Sequence, residues 1–188
     1  MPHFNTRGAS GEHGENWSRW LAKFKGQPVS ALEVGSFEGR AALWFLDNIL
    51  THPDALLTCV DTWEGGEDHH ACGVDCTTIA AAWAKNVKPY GKKVLGVPGR
   101  SQDVLRRIPG NQSFVYLDAS HVAADVFQDL ALCWPLLSPG GILICDDYEW
   151  RFTGPLHEPK MAIDAFLSCF LGRYALIHKG YQVCVEKL

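Results

Sequence analysis

Acidic residues stand at or near the ends of four short apolar runs, where carboxylates could hold a cation or a positively charged ligand. They are Glu33, Asp61, Asp118 and the adjacent pair Asp146 and Asp147. Brought together at neighbouring strand ends, Asp118, Asp146 and Asp147 would repel one another, which predicts a divalent cation between them. A set made only of oxygen ligands suits Mg²⁺ or Ca²⁺. The alternative is that one or two of these acids cap helices, as Asp118 could do for the helix after it.

His121 lies three residues beyond Asp118, and histidine is the side chain that most readily takes up a proton near neutral pH. A general base works best when its pKa is close to the working pH, which imidazole already provides. We therefore predict catalytic roles for His121 and Asp118.

A glycine-rich turn follows the first apolar run, in the segment 32–40. Gly35 and Gly39 allow the backbone to turn tightly and to approach a ligand closely. Their spacing is G-x-x-x-G rather than the dinucleotide-binding G-x-G-x-x-G, which disfavours a nicotinamide cofactor. Glu33, two residues before the first glycine, suits a ligand that carries an ammonium group. The alternative is a turn that only caps the helix after it.

Asp61 ends the second apolar run, within the segment Val60-Asp61-Thr62-Trp63. An acid at this position commonly accepts hydrogen bonds from both ribose hydroxyls of a bound nucleoside. Trp63 offers a flat apolar face beside it. A solvated strand end next to a core tryptophan is the alternative.

Five apolar runs alternate with helical stretches, a pattern that predicts a parallel sheet with helices on both faces. In such a sheet ligands bind beyond the carboxyl ends of the strands. The predicted strands cover residues 29–34, 56–60, 93–97, 113–117 and 142–145, and the predicted helices cover residues 17–25, 40–50, 77–88, 101–107, 123–137 and 160–170. We expect residues 1–16 to be loose, residues 138–141 to close a helix, and residues 174–177 and 181–185 to form a hairpin.

The overall composition is that of one globular domain, since the 188 residues are 47% hydrophobic and 20% charged. A net charge of −4 disfavours non-specific binding to nucleic acid or anionic membranes. No apolar run approaches the roughly 18 residues that span a bilayer. The seven cysteines are odd in number and three lie in apolar runs. With a polar start that lacks a signal-peptide core, they predict free thiols and a cytoplasmic protein. The sequence is compatible with a homodimer and does not determine the oligomeric state.

The segment from His69 to Cys76 carries the residue types of a zinc site, in the order His-His-x-Cys-x-x-x-Cys. The spacing is irregular and no second cysteine pair is near, so we predict a lid or substrate loop over residues 64–76 instead. Trp150 follows the acid pair and is predicted to line an acceptor pocket.

These motifs together resemble the class I S-adenosylmethionine-dependent methyltransferases, and among them the small metal-dependent O-methyltransferases that act on catechols and macrolide sugars. The resemblance runs from Val29 to the C-terminal hairpin. Four segments carry it: the cofactor loop 32–39, the adenine-side segment 99–105, the strand end Leu117-Asp118 and the segment 139–147. The catechol enzymes have lysine where this chain has His121, and Asp-Asn where it has Asp146-Asp147. They also carry a longer N-terminal helical region, so the loop 64–76 and the segment Tyr148–Pro159 must do more to shape the acceptor site.

The resemblance implies a Rossmann-like, seven-stranded, mostly parallel sheet with an antiparallel C-terminal hairpin and helices on both faces. It implies a tail and short helix over residues 1–28 and one methyltransferase domain over 29–188. The implied cofactor is S-adenosylmethionine, held by Glu33, Gly35, Ser36, Gly39, Asp61, Trp63, Ser101, Gln102 and Asp118. The implied metal is Mg²⁺ or another divalent cation, on Asp118, Asp146 and Asp147.

The implied reaction is methyl transfer to a hydroxyl of a small-molecule acceptor, whose identity cannot be carried over from the relatives. One alternative is a metal-independent methyltransferase in which His121 and Asp118 act alone. A metal-dependent hydroxylase or hydrolase on the same fold is another, because fold does not fix function. A non-catalytic binding protein is the last, and the intact glycine turn and strand-end acids argue against it.

Overall fold

The architecture comes from a computed structural model, which describes residues 10–151 and 158–188 together with Pro2 and Phe4. The strands are β1 (Ser30–Val34), β2 (Leu56–Asp61), β3 (Val94–Pro98), β4 (Gln112–Leu117), β5 (Leu137–Cys145), β6 (Tyr174–Lys179) and β7 (Val183–Lys187). The α-helices are α1 (Ser10–Trp20), α2 (Arg40–Asn48), α3 (Glu67–Ala71), α4 (Ile79–Val87), α5 (Ser101–Val104), α6 (Ala123–Cys133) and α7 (Pro159–Cys169). Short 3-10 turns cover Ala22–Phe24, Cys76–Thr78, Lys88–Lys93, Leu105–Arg107 and Trp134–Leu136.

The strands form one sheet in the order β3-β2-β1-β4-β5-β7-β6. Strands β1 to β5 pair in parallel, and β7 pairs antiparallel with both β5 and β6. The predicted fold class is thereby confirmed. The order reverses between β1 and β4, so a crevice opens at the carboxyl ends of these two strands, where parallel sheets bind their ligands.

Two apolar cores cover the two faces of the sheet. Leu32 and Val34 of β1 pack into the core that α6 and α7 cover, whereas Ala31 packs into the core that α1 and α2 cover. Because side chains alternate along a strand, Glu33 lies on the same face as Ala31. This alternation decides which strand-end acids can reach the crevice.

The helix α1 begins at Ser10, so the prediction that residues 1–16 are loose is wrong from that residue onward. Its glycines are poor helix formers, but tertiary packing outweighs propensity here. Trp17 and Trp20 are buried in the core on the α2 face. A Cβ at Gly14 would stand only 2.8 Å from Nε1 of Trp44, so glycine permits this close packing. The predicted helix over 17–25 is divided between α1 and the 3-10 turn that follows it.

Residues 138–141 belong to β5 and do not close the preceding helix as predicted. The pairing with β4 jumps from Leu137 opposite Gln112 to Ile142 opposite Phe114, so these four residues bulge out of the ladder. The predicted loop 64–76 contains the short helix α3. Residues 152–157 of the predicted acceptor-shaping segment lie outside the described part. Within the described ranges, no helix has the length and apolar character needed to cross a membrane.

Candidate active site

The glycine turn is fixed by close contacts within the protein itself. Gly35 has a φ of +85°, and a Cβ there would lie 2.6 Å from the Cα of Ala119 and closer still to the carbonyl group of Asp118. The turn after β1 therefore rests directly on the end of β4. Gly39 has a φ of +84° and precedes α2, and a Cβ there would meet Trp83 at 3.1 Å. Both glycines bring backbone and helices together, which is what their spacing was expected to allow.

Asp61 holds the turn from the end of β2. Its Oδ2 accepts hydrogen bonds from the backbone N–H groups of Ser36 and Phe37, each at 2.7 Å, and its Oδ1 accepts one from the N–H of Trp63 at 2.7 Å. Trp63 donates from Nε1 to the carbonyl of Phe37 at 3.0 Å and packs on Trp83, with ring centroids 4.7 Å apart. Asp61 thus faces the crevice, while Trp63 braces the turn from its far side.

Glu33 and Ser36 lie behind the turn rather than in the crevice. The Glu33 carboxylate is fully buried and accepts a short hydrogen bond from the Ser36 hydroxyl, which in turn accepts one from Nε1 of Trp83 at 2.9 Å. Burial raises the pKa of Glu33 to about 7. The two side chains are therefore engaged with the protein, and the structure does not bring them to the predicted cofactor position.

A cavity of about 680 Å³ occupies the crevice, a volume in the range of small-molecule and cofactor sites. Six of the predicted site residues line it: Gly35, Asp61, Ser101, Gln102, Asp118 and His121. Glu33, Ser36, Gly39 and Trp63 do not line it in the part of the chain that the structure describes. Phe37 does line it and stacks on His69, with ring centroids 4.6 Å apart. Sequence reasoning missed Phe37, although its place inside the glycine turn was a signal.

Asp129 is a second residue that sequence reasoning missed. It lies on α6 and lines the cavity beside Ser101 and Gln102. Its Oδ1 accepts a hydrogen bond from Oγ of Ser101 at 2.6 Å and one from Nε2 of Gln102 at 3.1 Å. Burial raises the pKa of Asp129 to about 7. The sequence signal for a functional role was that Asp129 is an acid on the apolar face of α6, next to the buried Leu130.

The acid cluster brings together Asp118, His121 and Asp147, whose ligand atoms all lie within 4.8 Å of one another. The Nε2 atom of His121 is 2.9 Å from Oδ2 of Asp147, and Tyr181 donates to Oδ1 of Asp147 at 2.7 Å. His121 also stacks on Trp150, which lines the cavity, with ring centroids 4.7 Å apart. These contacts fix the imidazole between the cavity and the carboxylates.

Asp146, the third predicted metal ligand, is not part of this group. Its Oδ2 accepts a short hydrogen bond from the Tyr116 hydroxyl and one from Nε2 of Gln182 at 2.7 Å, and its Oδ1 accepts the N–H of Asp147 at 2.8 Å. Trp17 of α1 donates from Nε1 to Oε1 of the same glutamine at 3.0 Å. Asp146 is thus held by the hairpin and, through it, by α1.

Charge is unevenly shared in the cluster. Burial, followed by the charges of Asp146 and Asp147, raises the pKa of Asp118 well above its usual range. Burial also opposes ionisation of Asp147, but its hydrogen bond with His121, the charge of that histidine and the Tyr181 hydroxyl outweigh it and lower the pKa. Two carboxylates and an imidazole are a donor set that divalent cations accept. The described residues hold no other such group, so the structure does not assemble His69, His70, Cys72 and Cys76 into a metal site.

Comparison with known proteins places this geometry in a family. A model of the methyltransferase domain family matches residues 32–148, which is more than half of the chain. The chain belongs to the methyltransferase family. The resemblance to the class I S-adenosylmethionine-dependent methyltransferases is thereby confirmed, and the chain is a methyltransferase. No curated protein sequence matches the chain.

Solved structures show the same methyltransferase fold. The O-methyltransferase NovP is 20% identical with a TM-score of 0.76, over 94% of this chain and 79% of its own. An O-methyltransferase from Bacillus cereus, in complex with SAH, is 13% identical with a TM-score of 0.67, over 98% of this chain and 84% of its own. MycE, from the mycinamycin biosynthetic pathway and in complex with Mg and SAH, is 19% identical with a TM-score of 0.62, over 92% of this chain but 48% of its own. At these identities the likeness establishes the fold.

Proposed function

We propose that this methyltransferase transfers a methyl group from S-adenosylmethionine to a hydroxyl of a small-molecule acceptor, assisted by a divalent cation. The observation that carries the proposal is the position of Asp118, which lines both the large cavity and the smaller one beside Asp146 and Asp147. A nucleoside-sized space and a cation-binding group therefore share one wall. The structurally similar O-methyltransferase NovP, and MycE in complex with Mg and SAH, support the same assignment.

The cavity fits the cofactor by its volume and by the groups that line it. Asp61 presents a carboxylate at the strand end where ribose hydroxyls are commonly held, and Gly35 offers backbone without a side chain. Ser101 and Gln102 form the far wall, where we propose that the adenine binds. Glu33 and Ser36 support the turn, and we propose that their part in holding the methionine end is indirect, through its backbone.

The acceptor side is built from His121 and Trp150. When bound, S-adenosylmethionine supplies an electrophilic methyl carbon, and a divalent cation supplies a Lewis acid for the acceptor oxygen. His121 takes up the acceptor's proton at its ring, and the carboxylate of Asp147, 2.9 Å from Nε2, stabilises the resulting imidazolium. Trp150 beside it gives the acceptor an apolar face.

The proposed oxygen ligands for the cation are Asp118, Asp146 and Asp147. The observed geometry favours Asp118 and Asp147 directly, since both are in the group that could hold an ion. Asp146 joins them only when the hydrogen bonds from Tyr116 and Gln182 give way. With those hydrogen bonds in place, Oδ1 of Asp146 accepts a hydrogen bond from the backbone N–H of Asp147 and so orients Asp147.

Calorimetric titration of S-adenosylhomocysteine, followed by an acceptor screen with Mg²⁺ or with chelator, tests the proposal. We expect Asp146→Ala and Asp147→Ala, which replace proposed cation ligands outside the cofactor cavity, to abolish transfer while S-adenosylhomocysteine affinity stays largely intact. Asp103→Asn is the matched control, because Asp103 is an exposed acid on α5 outside the cavity. No binding of S-adenosylhomocysteine to the unsubstituted protein would refute the cofactor assignment. Equal loss of that binding in the two variants would refute the division of roles.

A metal-independent methyltransferase is the second candidate. The observation in its favour is the contact of His121 with Asp147, which already forms a base and its charge partner. Turnover that persists in chelator would select this candidate.

We also propose that the protein works in the cytoplasm on a small hydroxylated molecule. All seven cysteines carry free thiols, and four of them are buried, as suits a reducing compartment. Activity with the protein in reducing buffer, and its loss on oxidation, would support this placement; full activity only after oxidation would contradict it.

A further inference from the structure

A buried acid in the cavity wall has hydrogen-bonding capacity that the protein leaves unused. Asp129 is 1% exposed, and its Oδ2 has no hydrogen-bond partner in the described part of the chain. A buried carboxylate oxygen without a hydrogen-bond donor is unfavourable, and such atoms call for an explanation. The residue lines the proposed cofactor cavity, so a bound ligand could supply the missing donor.

The neighbours of Asp129 increase this demand for a donor. Ser101 gives its one O–H to Oδ1 of Asp129, so toward a ligand its hydroxyl can only accept. Gln102 commits one N–H to the same oxygen and keeps its carbonyl oxygen and its second N–H available. This wall, made of Asp129, Ser101 and Gln102, therefore presents mainly acceptor atoms, and the unpartnered Oδ2 of Asp129 is the buried one among them. A ligand group that reaches Oδ2 must bring an N–H or O–H donor to pair with it.

We infer that Asp129 makes the methyltransferase selective for a 6-aminopurine nucleoside over its 6-oxo counterpart. The inference rests on the proposed function, because the ligand of this wall is taken to be the base of the cofactor. The exocyclic amino group of adenine is a double donor and matches an acceptor wall. A 6-oxo group is an acceptor and would face other acceptors across a buried gap, which leaves polar groups unpaired.

The Asp129→Asn substitution tests whether the preference for the 6-amino ligand comes from the charge and donor pattern of residue 129 or only from the way its side chain packs. Ser101 and Gln102 both donate to Oδ1, so in Asp129→Asn the amide oxygen takes that place and the NH₂ group takes the place of Oδ2. The wall then offers a donor where it offered an acceptor. The shape of the side chain is unchanged.

The test compares the affinities of S-adenosylhomocysteine and S-inosylhomocysteine by calorimetric titration. We expect the unsubstituted protein to prefer the 6-amino ligand by at least about tenfold, the effect of one hydrogen bond to a charged group. In Asp129→Asn the ratio should fall to about one or invert. Asp103→Asn makes the same change of charge on α5, away from the cavity, and should keep the original ratio.

The outcomes distinguish this inference from the proposed function. If S-adenosylhomocysteine does not bind the unsubstituted protein, the proposed function fails. If it binds and Asp129→Asn keeps the original ratio, the selectivity does not come from Asp129 and the inference is overturned.

A second measurement needs no variant and applies if Asp129→Asn does not fold. Burial, with Asp125 nearby, raises the pKa of Asp129 to about 7, against the hydrogen bond from Ser101 and the charge of Arg100. The other titratable neighbour, Cys133, stays protonated because burial raises its pKa well above the usual value. Protonation of Asp129 replaces an acceptor by a donor, so the 6-amino preference should shrink from pH 8 to pH 6. A ratio that is independent of pH would overturn the inference, since effects elsewhere in the site cancel between the two ligands.

Discussion

Replacing Gly35 by alanine tests whether the turn after β1 is held by contact with β4. Gly35 has a φ of +85°, and a Cβ there would lie 2.6 Å from the Cα of Ala119 and closer to the Asp118 carbonyl. The left-handed conformation alone disfavours alanine by about 1 kcal/mol. The overlap is with backbone, which must shift, and such overpacking adds about 2 kcal/mol. We therefore expect Gly35→Ala to lower the free energy of unfolding by about 3 kcal/mol.

Gly73→Ala is the matched control for this substitution. Gly73 has a φ of +71°, but a Cβ there would meet nothing within 4 Å, so only the conformational part remains, about 1 kcal/mol. Urea unfolding with a shared slope measures both changes, and for Gly35→Ala a fall in melting temperature of roughly 6–12 °C should accompany the loss. Equal losses in the two variants would refute the contact between the turn and β4.

Three further outcomes are expected. Gln182→Leu should lower the free energy of unfolding by about 2–4 kcal/mol, because it removes the buried hydrogen bonds of Gln182 with Nε1 of Trp17 and with the Asp146 carboxylate. Thermal unfolding measures the change, and an unchanged stability would show that these two hydrogen bonds are not formed. Burial raises the pKa of Glu33 to about 7 in the folded state, so its contribution to stability should fall by up to about 3 kcal/mol as pH rises from 4.5 to 7. Glu33→Gln should remove this share of the fall in urea titrations and leave the share of Asp129, whose pKa burial also raises to about 7; a pH profile identical to that of the unsubstituted protein would contradict the burial effect. Trp150→Ala should raise the acceptor KM in steady-state assays and leave the Kd of S-adenosylhomocysteine unchanged, whereas a matching rise in that Kd would place Trp150 at the cofactor instead.

The sheet and its order of elements could be predicted because they depend on local patterns. Apolar runs of strand length alternate with helical stretches, and the observed strands β1 to β4 begin and end within a residue of the predicted ones. The start of α1 could not be predicted in this way. Its glycines weaken the helical signal, and only the packing of Trp17 into the core and of Gly14 against Trp44 stabilises the helix.

The candidate site was predicted in its residue types but not in all of its geometry. Asp61 and Asp118 come at or after the last residue of a strand and reach the cavity. Glu33 comes one residue before the end of β1, and because side chains alternate along the strand, its side chain points into a buried core and not into the cavity. Asp146 was predicted to hold a metal, but Gln182, 36 residues further along the chain, occupies its carboxylate. Contacts between such distant residues leave no trace in a local pattern.

The position of β7 between β5 and β6 has a consequence for how the molecule is made. Strand β6 is synthesised before β7, yet in the sheet it pairs with β7 alone. While residues 183–187 are still in the ribosome, residues 174–179 have no edge to join, and Asp147 has not received the hydrogen bond from Tyr181. The hydrogen bonds of the acid cluster are therefore complete only after β7 has been inserted between β5 and β6. Folding that depends on such late, long-range pairing is expected to be slow.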